Sequence, residues 1–169
     1  MRVIILGANG SGKSTVGHEL ANLLTCAHFD TEDYWFHKSE IPYTTSRPPE
    51  ERNALFFSDI KKYDSYVVSG SVSQWDKAFL KLFDLAVFLE VPSDIRVERI
   101  ENREHDRFGN RIRKCGDMYE QHLKFIEYAN HVDIPLLKKE AEKYFCPVIY
   151  VDGTENYNSI VKKIKKRIS

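Results

Sequence analysis

Residues 7–14 read Gly7-Ala8-Asn9-Gly10-Ser11-Gly12-Lys13-Ser14, a full match to the pattern G-x-x-x-x-G-K-[ST]. The chemistry of this pattern is anion binding. Its glycines let successive backbone N–H groups turn toward phosphate oxygens, its lysine reaches the β- and γ-phosphates, and its hydroxyl ligates Mg²⁺. Here those roles fall to Lys13 and Ser14, with Thr15 directly behind them. The mechanism requires a strand before the loop and a helix after it, so that the positive end of the helix dipole faces the same anion. Val3-Ile4-Ile5-Leu6 is a short apolar run, and the stretch from Ser14 to Leu24 has helical periodicity. A nucleoside triphosphate, ATP with Mg²⁺, is the expected ligand.

The elements that must carry this loop follow from the rest of the chain. Five apolar runs read as strands, over Arg2–Leu6, Ala27–Phe29, Ser65–Ser69, Leu85–Val91 and Pro147–Val151, the second being the shortest. Helical patterns lie between them, and strands alternating with helices predict an α/β fold with a parallel sheet. The runs are continuously apolar, as expected where helices cover both faces. Ligands of such sheets gather at the carboxyl ends of the strands. Gly17, early in the first helix, costs about 1 kcal/mol relative to alanine, which close packing of that helix on the sheet would explain. His18 is expected to face solvent.

Composition narrows the class. The chain has 169 residues, with 25 basic and 25 acidic side chains, so no global field marks a nucleic-acid or membrane-surface partner. Cys26, Cys115 and Cys146 lack metal-ligand spacing and suit reduced cytosolic thiols. No run approaches the roughly 20 apolar residues that span a bilayer, and no signal peptide is expected before the first strand. A cytoplasmic protein, a monomer or homodimer, is expected. Lys162, Lys163, Lys165, Lys166 and Arg167 make the last segment basic, yet Ile160, Val161, Ile164 and Ile168 share one helical face. A docked terminal helix with a solvated basic side is the expectation.

With its loop in this context, the chain resembles the small P-loop kinases of the adenylate kinase and shikimate kinase type. The first helix, GKSTVGHELA over Gly12 to Ala21, is similar to the shikimate and gluconate kinase branch. The resemblance implies one three-layer P-loop NTPase domain over 1–169, with five parallel strands in the order 2-3-1-4-5. It also implies a substrate-binding insert over about residues 34–62 and an arginine-bearing lid over about residues 99–116.

Carried onto this sequence, the resemblance nominates particular side chains. Shikimate kinases have Asp-x-Asp after strand 2. Asp30 matches the first position, Glu32 replaces the second, and Asp33 follows. A carboxylate here can orient hydrated Mg²⁺ and accept the proton of an attacking hydroxyl; Asp30 or Thr31 can equally cap the next helix. Strand 3 runs into Ser69-Gly70-Ser71 with no Walker B aspartate, which shifts metal positioning toward Asp30, while Gly70 suits close approach of a substrate. Ser71-Val72-Ser73 replaces the Asp-Gly-Phe-Pro-Arg of adenylate kinase-like enzymes, and no Phe-Arg-x-x-Glu motif of shikimate kinases is present.

In the insert, Arg47 and Arg52 can grip an anionic acceptor or lie in solvent, and Pro48-Pro49-Glu50-Glu51 reads as a helix start. After strand 4, Arg99, Arg103 and Arg107 recur every four residues as a basic stripe that ends at Gly109, a possible hinge. Arg103 and Arg107 are the expected lid arginines, with Arg111 as a third. After the last strand Gly153 suits an adenine-contacting loop, and Thr154 is placed to cap the terminal helix. The expected function is transfer of the ATP γ-phosphoryl group to a hydroxyl or phosphate of a small-molecule acceptor. The alternatives are a nucleoside or nucleoside monophosphate kinase, and an ATP-binding switch protein that is no kinase.

Overall fold

The structure, a computed structural model, describes residues 1–168. Its centre is a five-stranded sheet of β1 (Arg2–Gly7), β2 (Ala27–Asp30), β3 (Tyr66–Ser69), β4 (Leu85–Glu90) and β5 (Val148–Asp152). The order is β2-β3-β1-β4-β5, and every pairing is parallel. Along β1, Val3 and Ile5 enter one core while Ile4 and Leu6 enter the other. That two-sided burial is why the strand is apolar without alternation. The edge strand β2 is half-buried along its whole length, which accounts for its weak sequence signal.

Seven helices accompany the strands among the described residues: α1 (Lys13–Leu24), α2 (Glu32–Trp35), α3 (Pro49–Ile60), α4 (Ser93–Phe108), α5 (Tyr119–Asn130), α6 (Ile134–Ala141) and α7 (Tyr157–Ile168). The two-proline, two-glutamate start of α3 lies where the sequence put it. On one face Val16, Leu20 and Ala21 of α1 pack with Ile160, Val161 and Ile164 of α7, so the terminal helix docks by its apolar stripe. Its cap differs from expectation. Asn156 accepts the N–H of Asn158 at 2.9 Å, whereas Thr154 turns back onto Asp152. Asn156 is adjacent to the first helical residue and Thr154 is too far upstream to reach it. None of the helices is long and apolar enough to cross a membrane.

Gly17 explains itself at the α1–sheet contact. A Cβ there would fall on Ser69 Oγ and within 2.8 Å of His28 Nε2. Ser69 Oγ donates to the Lys13 carbonyl and also meets His28 Nε2, both at 2.9 Å. With the hydroxyl proton directed at Lys13, His28 must donate from Nε2; burial lowers its pKa and keeps the ring neutral. Alanine at position 17 would gain about 1 kcal/mol of helix propensity, but overpacking of this kind costs about 1–3 kcal/mol. Gly17→Ala is therefore expected to lower the melting temperature, and an unchanged or raised Tm would contradict the packing argument.

Candidate active site

The registers bring the carboxyl ends of the strands to one edge: Asp30 pairs with Ser69, Ile5 with Ser69, and Gly7 with Leu89. Above that edge lies a cavity of about 1070 Å³ lined by all of Gly7–Val16, by residues 30–33, and by Gly70, Arg99, Arg103, Arg107 and Gly153. Gly10 and Gly12 hold φ of 79° and 91°, in the region that glycine adopts without strain. Gly12 stands directly before α1, whose first N–H groups have no intrahelical acceptor. Ser11 Oγ is buried in this loop without a hydrogen-bond partner. Lys13 Nζ donates to the Ala8 carbonyl at 3.0 Å. Burial lowers the Lys13 pKa, while Glu32 and Asp30 act in the opposite sense.

Asp30 serves the site and the local turn together. One of its oxygens accepts from Ser14 Oγ at 2.5 Å, and the other accepts the Glu32 N–H at 3.0 Å. Thr31 makes no side-chain cap. Its hydroxyl occupies the space that a Cβ on Gly70 would need, so Gly70, at φ 105°, lets the loops after β2 and β3 close on one another. Glu32 and Asp33 both face the cavity. The Glu32 pKa is raised, first by desolvation and then by Asp30, against the pull of Lys13, Arg103 and Arg107. The Asp33 pKa is raised by the same two causes.

The arginine stripe divides its labour. Arg96, only 1% exposed, donates to the carbonyls of Val91, Asn9 and Ala129 and so pins the phosphate-binding loop to α4 and α5. Arg99 ties Gly153 O, at 3.1 Å, to the same loop through Ser11 O. Arg103 is held by the buried Glu104 at 3.2 Å, and its Nε is buried without a partner. Arg107 reaches the Tyr43 hydroxyl at 3.4 Å. Arg111 does not join them. It grips Asp117 and the Glu40 carbonyl and lies outside the cavity lining. Gly109, at φ 52° in open space, ends α4.

The two insert arginines also need correction. Arg47 donates to Tyr34 O at 3.2 Å and to Glu51 at 2.5 Å. Arg52 is 4% exposed, its guanidinium 4.2 Å and 4.5 Å from the ring centroids of Trp35 and Trp75. Neither lines the cavity. The helix start at Pro49 places Arg52 on the inward face of α3 beside Phe56, where aromatic rings replace a ligand as its partner. A desolvated cation–π contact contributes about 2 kcal/mol or more. Arg52→Ala should lower unfolding free energy by at least that much in a urea titration; a loss within about 0.5 kcal/mol, typical of an ordinary surface site, would contradict the stacking role.

The AAA domain family matches residues 3–118, well over half of the sequence. The chain belongs to the AAA domain family. It is also 33% identical over 174 residues to the uncharacterized protein YqaC of Bacillus subtilis (strain 168), covering 98% of this chain and 96% of that one. A cytidylate kinase of Sulfolobus acidocaldarius is 25% identical over 116 residues, 62% of this chain and 63% of that protein. Among solved structures, shikimate kinase from Bacteroides thetaiotaomicron aligns with a TM-score of 0.61 at 17% identity, covering 99% and 98% of the two chains. That likeness is one of fold. This AAA-domain protein thus shares the fold of that shikimate kinase, with five parallel strands in the order β2-β3-β1-β4-β5.

Several residues of the AAA-domain site escaped the sequence reading. Ser71, Ser73, Gln74, Glu140, Tyr128, Glu155 and Tyr157 also line the cavity. Val72, between the two serines, is fully buried, and its N–H donates to Tyr144 OH at 2.9 Å. An apolar residue between two polar ones after a β3 turn is the signal that could have exposed Ser71 and Ser73. Tyr128 and Glu140 come from α5 and α6, far along the chain, and carry no local signature.

Proposed function

We propose that this protein is an ATP-dependent kinase that transfers the γ-phosphoryl group to a hydroxyl or phosphate of a small metabolite, within one domain spanning the chain. The observation that carries the reading is convergence. Carboxylates (Asp30, Glu32) and arginines (Arg103, Arg107) face the same cavity as Lys13 and Ser14. Phosphoryl transfer to an acceptor uses both kinds of group, a carboxylate to receive the proton and a cationic cover over the γ-phosphoryl oxygens. The loop from Gly7 to Thr15 and Gly153 hold the donor nucleotide.

The residues present fit Mg²⁺. Ser14 Oγ and Asp30 Oδ2 are hard oxygen donors brought to 2.5 Å of each other beside the loop, and Mg²⁺ with a nucleotide needs only one or two protein ligands. Ser14 would bind the ion directly and Asp30 through water; when bound it neutralises charge on the β- and γ-phosphates. Lys13 and the loop amides steady the phosphates, Arg103 and Arg107 cover the equatorial oxygens, and Asp30 or Glu32 receives the acceptor proton. A metabolite library tested for acceptor-dependent ADP release examines the proposal; no acceleration of ADP release by any acceptor would favour the ATP-binding switch instead.

The pH profile separates the two bases. A base acts as its carboxylate, and the Glu32 pKa is raised in the folded protein. If Glu32 is the base, kcat/KM falls as pH drops through a midpoint above the ordinary range near 4.3, and Glu32→Gln removes that limb together with most of the rate. A profile unchanged by Glu32→Gln assigns the proton to Asp30. The cytidylate kinase relative keeps a second reading in play, in which the acceptor is a nucleoside or nucleoside monophosphate.

A further inference from the structure

We propose that the acceptor is an uncharged or cationic hydroxyl compound of ring size, bearing neither phosphate nor carboxylate; this rests on the kinase reading above. Among the described residues, the cations facing the cavity are Lys13, Arg99, Arg103 and Arg107. Lys13 belongs to the donor loop, and Arg99 is fixed on Gly153 O and Ser11 O. Arg103 and Arg107 both act on the charge of Glu32, and Arg103 also on that of Lys13, which puts them where the phosphoryl group would move. The lining drawn from residues 33–74 and from α6 holds Asp33, Ser71, Ser73, Gln74 and Glu140 as its polar side chains, with Trp35 among its aromatic ones. It contains two carboxylates and no cation.

The arginines that an anionic acceptor would require are engaged elsewhere, Arg47 on Glu51 and Tyr34 O and Arg52 between two tryptophans. Lys143 sits on Glu140 but does not line the cavity. A phosphate or carboxylate on the acceptor would thus meet like charge in a concave, poorly screened space. Hydroxyl or ammonium groups would instead donate to Asp33 and Glu140, and Ser71, Ser73 and Gln74 can donate or accept. Trp35, held by the Arg52 guanidinium stacked on its ring, supplies an apolar surface for a ring.

In the reaction, the acceptor oxygen forms a bond to the γ-phosphorus as the bond from that phosphorus to the β-bridging oxygen breaks. ADP leaves with that electron pair, and the hydroxyl proton passes to Asp30 or Glu32. The products are ADP, a phosphate monoester and one proton.

The test uses the full chain with ATP and Mg²⁺ on matched acceptors that differ by one anionic group: nucleosides against their monophosphates, and sugars and amino sugars against sugar phosphates and sugar acids. The uncharged or amino member of the productive pair is expected to exceed its anionic partner in kcat/KM by at least about tenfold, a difference of about 1.4 kcal/mol. Asp33→Asn should shrink that ratio. Preference for the anionic member, or a ratio that Asp33→Asn leaves unchanged, overturns the inference while the kinase reading stands. ADP release that no member of any pair accelerates overturns both.

Discussion

Lys13→Ala is expected to reduce acceptor phosphorylation by about 10²–10³-fold or more, the size found when a single preorganised electrostatic contact to a transition state is removed. Lys13 is the cation placed at the start of α1, between the glycine loop and the carboxylates, and Glu32 and Asp30 act on its charge. Its fold contribution is small. It makes one hydrogen bond, to Ala8 O at 3.0 Å, and burial disfavours its charged form, so truncation removes a desolvated cation and leaves the core untouched. Far-UV circular dichroism and the melting temperature should therefore match the parent closely. Undiminished phosphotransfer in a folded Lys13→Ala protein would remove the loop from the mechanism.

Arg103→Ala is expected to cost about 10³–10⁵ in kcat, the range for an arginine that covers a transferring phosphoryl group. Two observations single it out from the stripe: its buried, unpartnered Nε, and its orientation by Glu104. Because Glu104 is itself buried, removing Arg103 leaves a carboxylate without its ion pair, and stability will fall as well. Glu104→Gln with Arg103 intact separates the two effects. Arg103→Lys keeps the charge but loses the planar fork, and should recover only part of the rate. Stability loss accompanied by kcat within tenfold of the parent would reduce Arg103 to a structural role.

The fold was legible because its signals are local. Each strand lies within two residues of its apolar run, and the glycine loop names its own neighbours. Buried on two faces, Val3 to Leu6 cannot be mistaken for a surface segment. The cavity lining was legible where it sits directly after a strand, as with Asp30, Glu32, Asp33 and Gly70. It was illegible where a side chain's partner arrives from far along the chain. Nothing near Arg52 announces that Trp75 will stack on it, and nothing near Arg111 announces that the Glu40 carbonyl will meet it. Arg96, Arg99, Arg103 and Arg107 share one helix yet no two have the same partners, because α4 crosses the glycine loop at Arg96 and reaches the insert only by Arg107.

Transfer itself is the central claim, and ATP labelled in its γ-phosphate follows it directly. With the full chain, Mg²⁺ and a productive acceptor, the label is predicted to appear in the phosphorylated acceptor, in a one-to-one ratio with ADP, and to vanish with Lys13→Ala. Label recovered only as inorganic phosphate, whatever acceptor is present, would contradict the account.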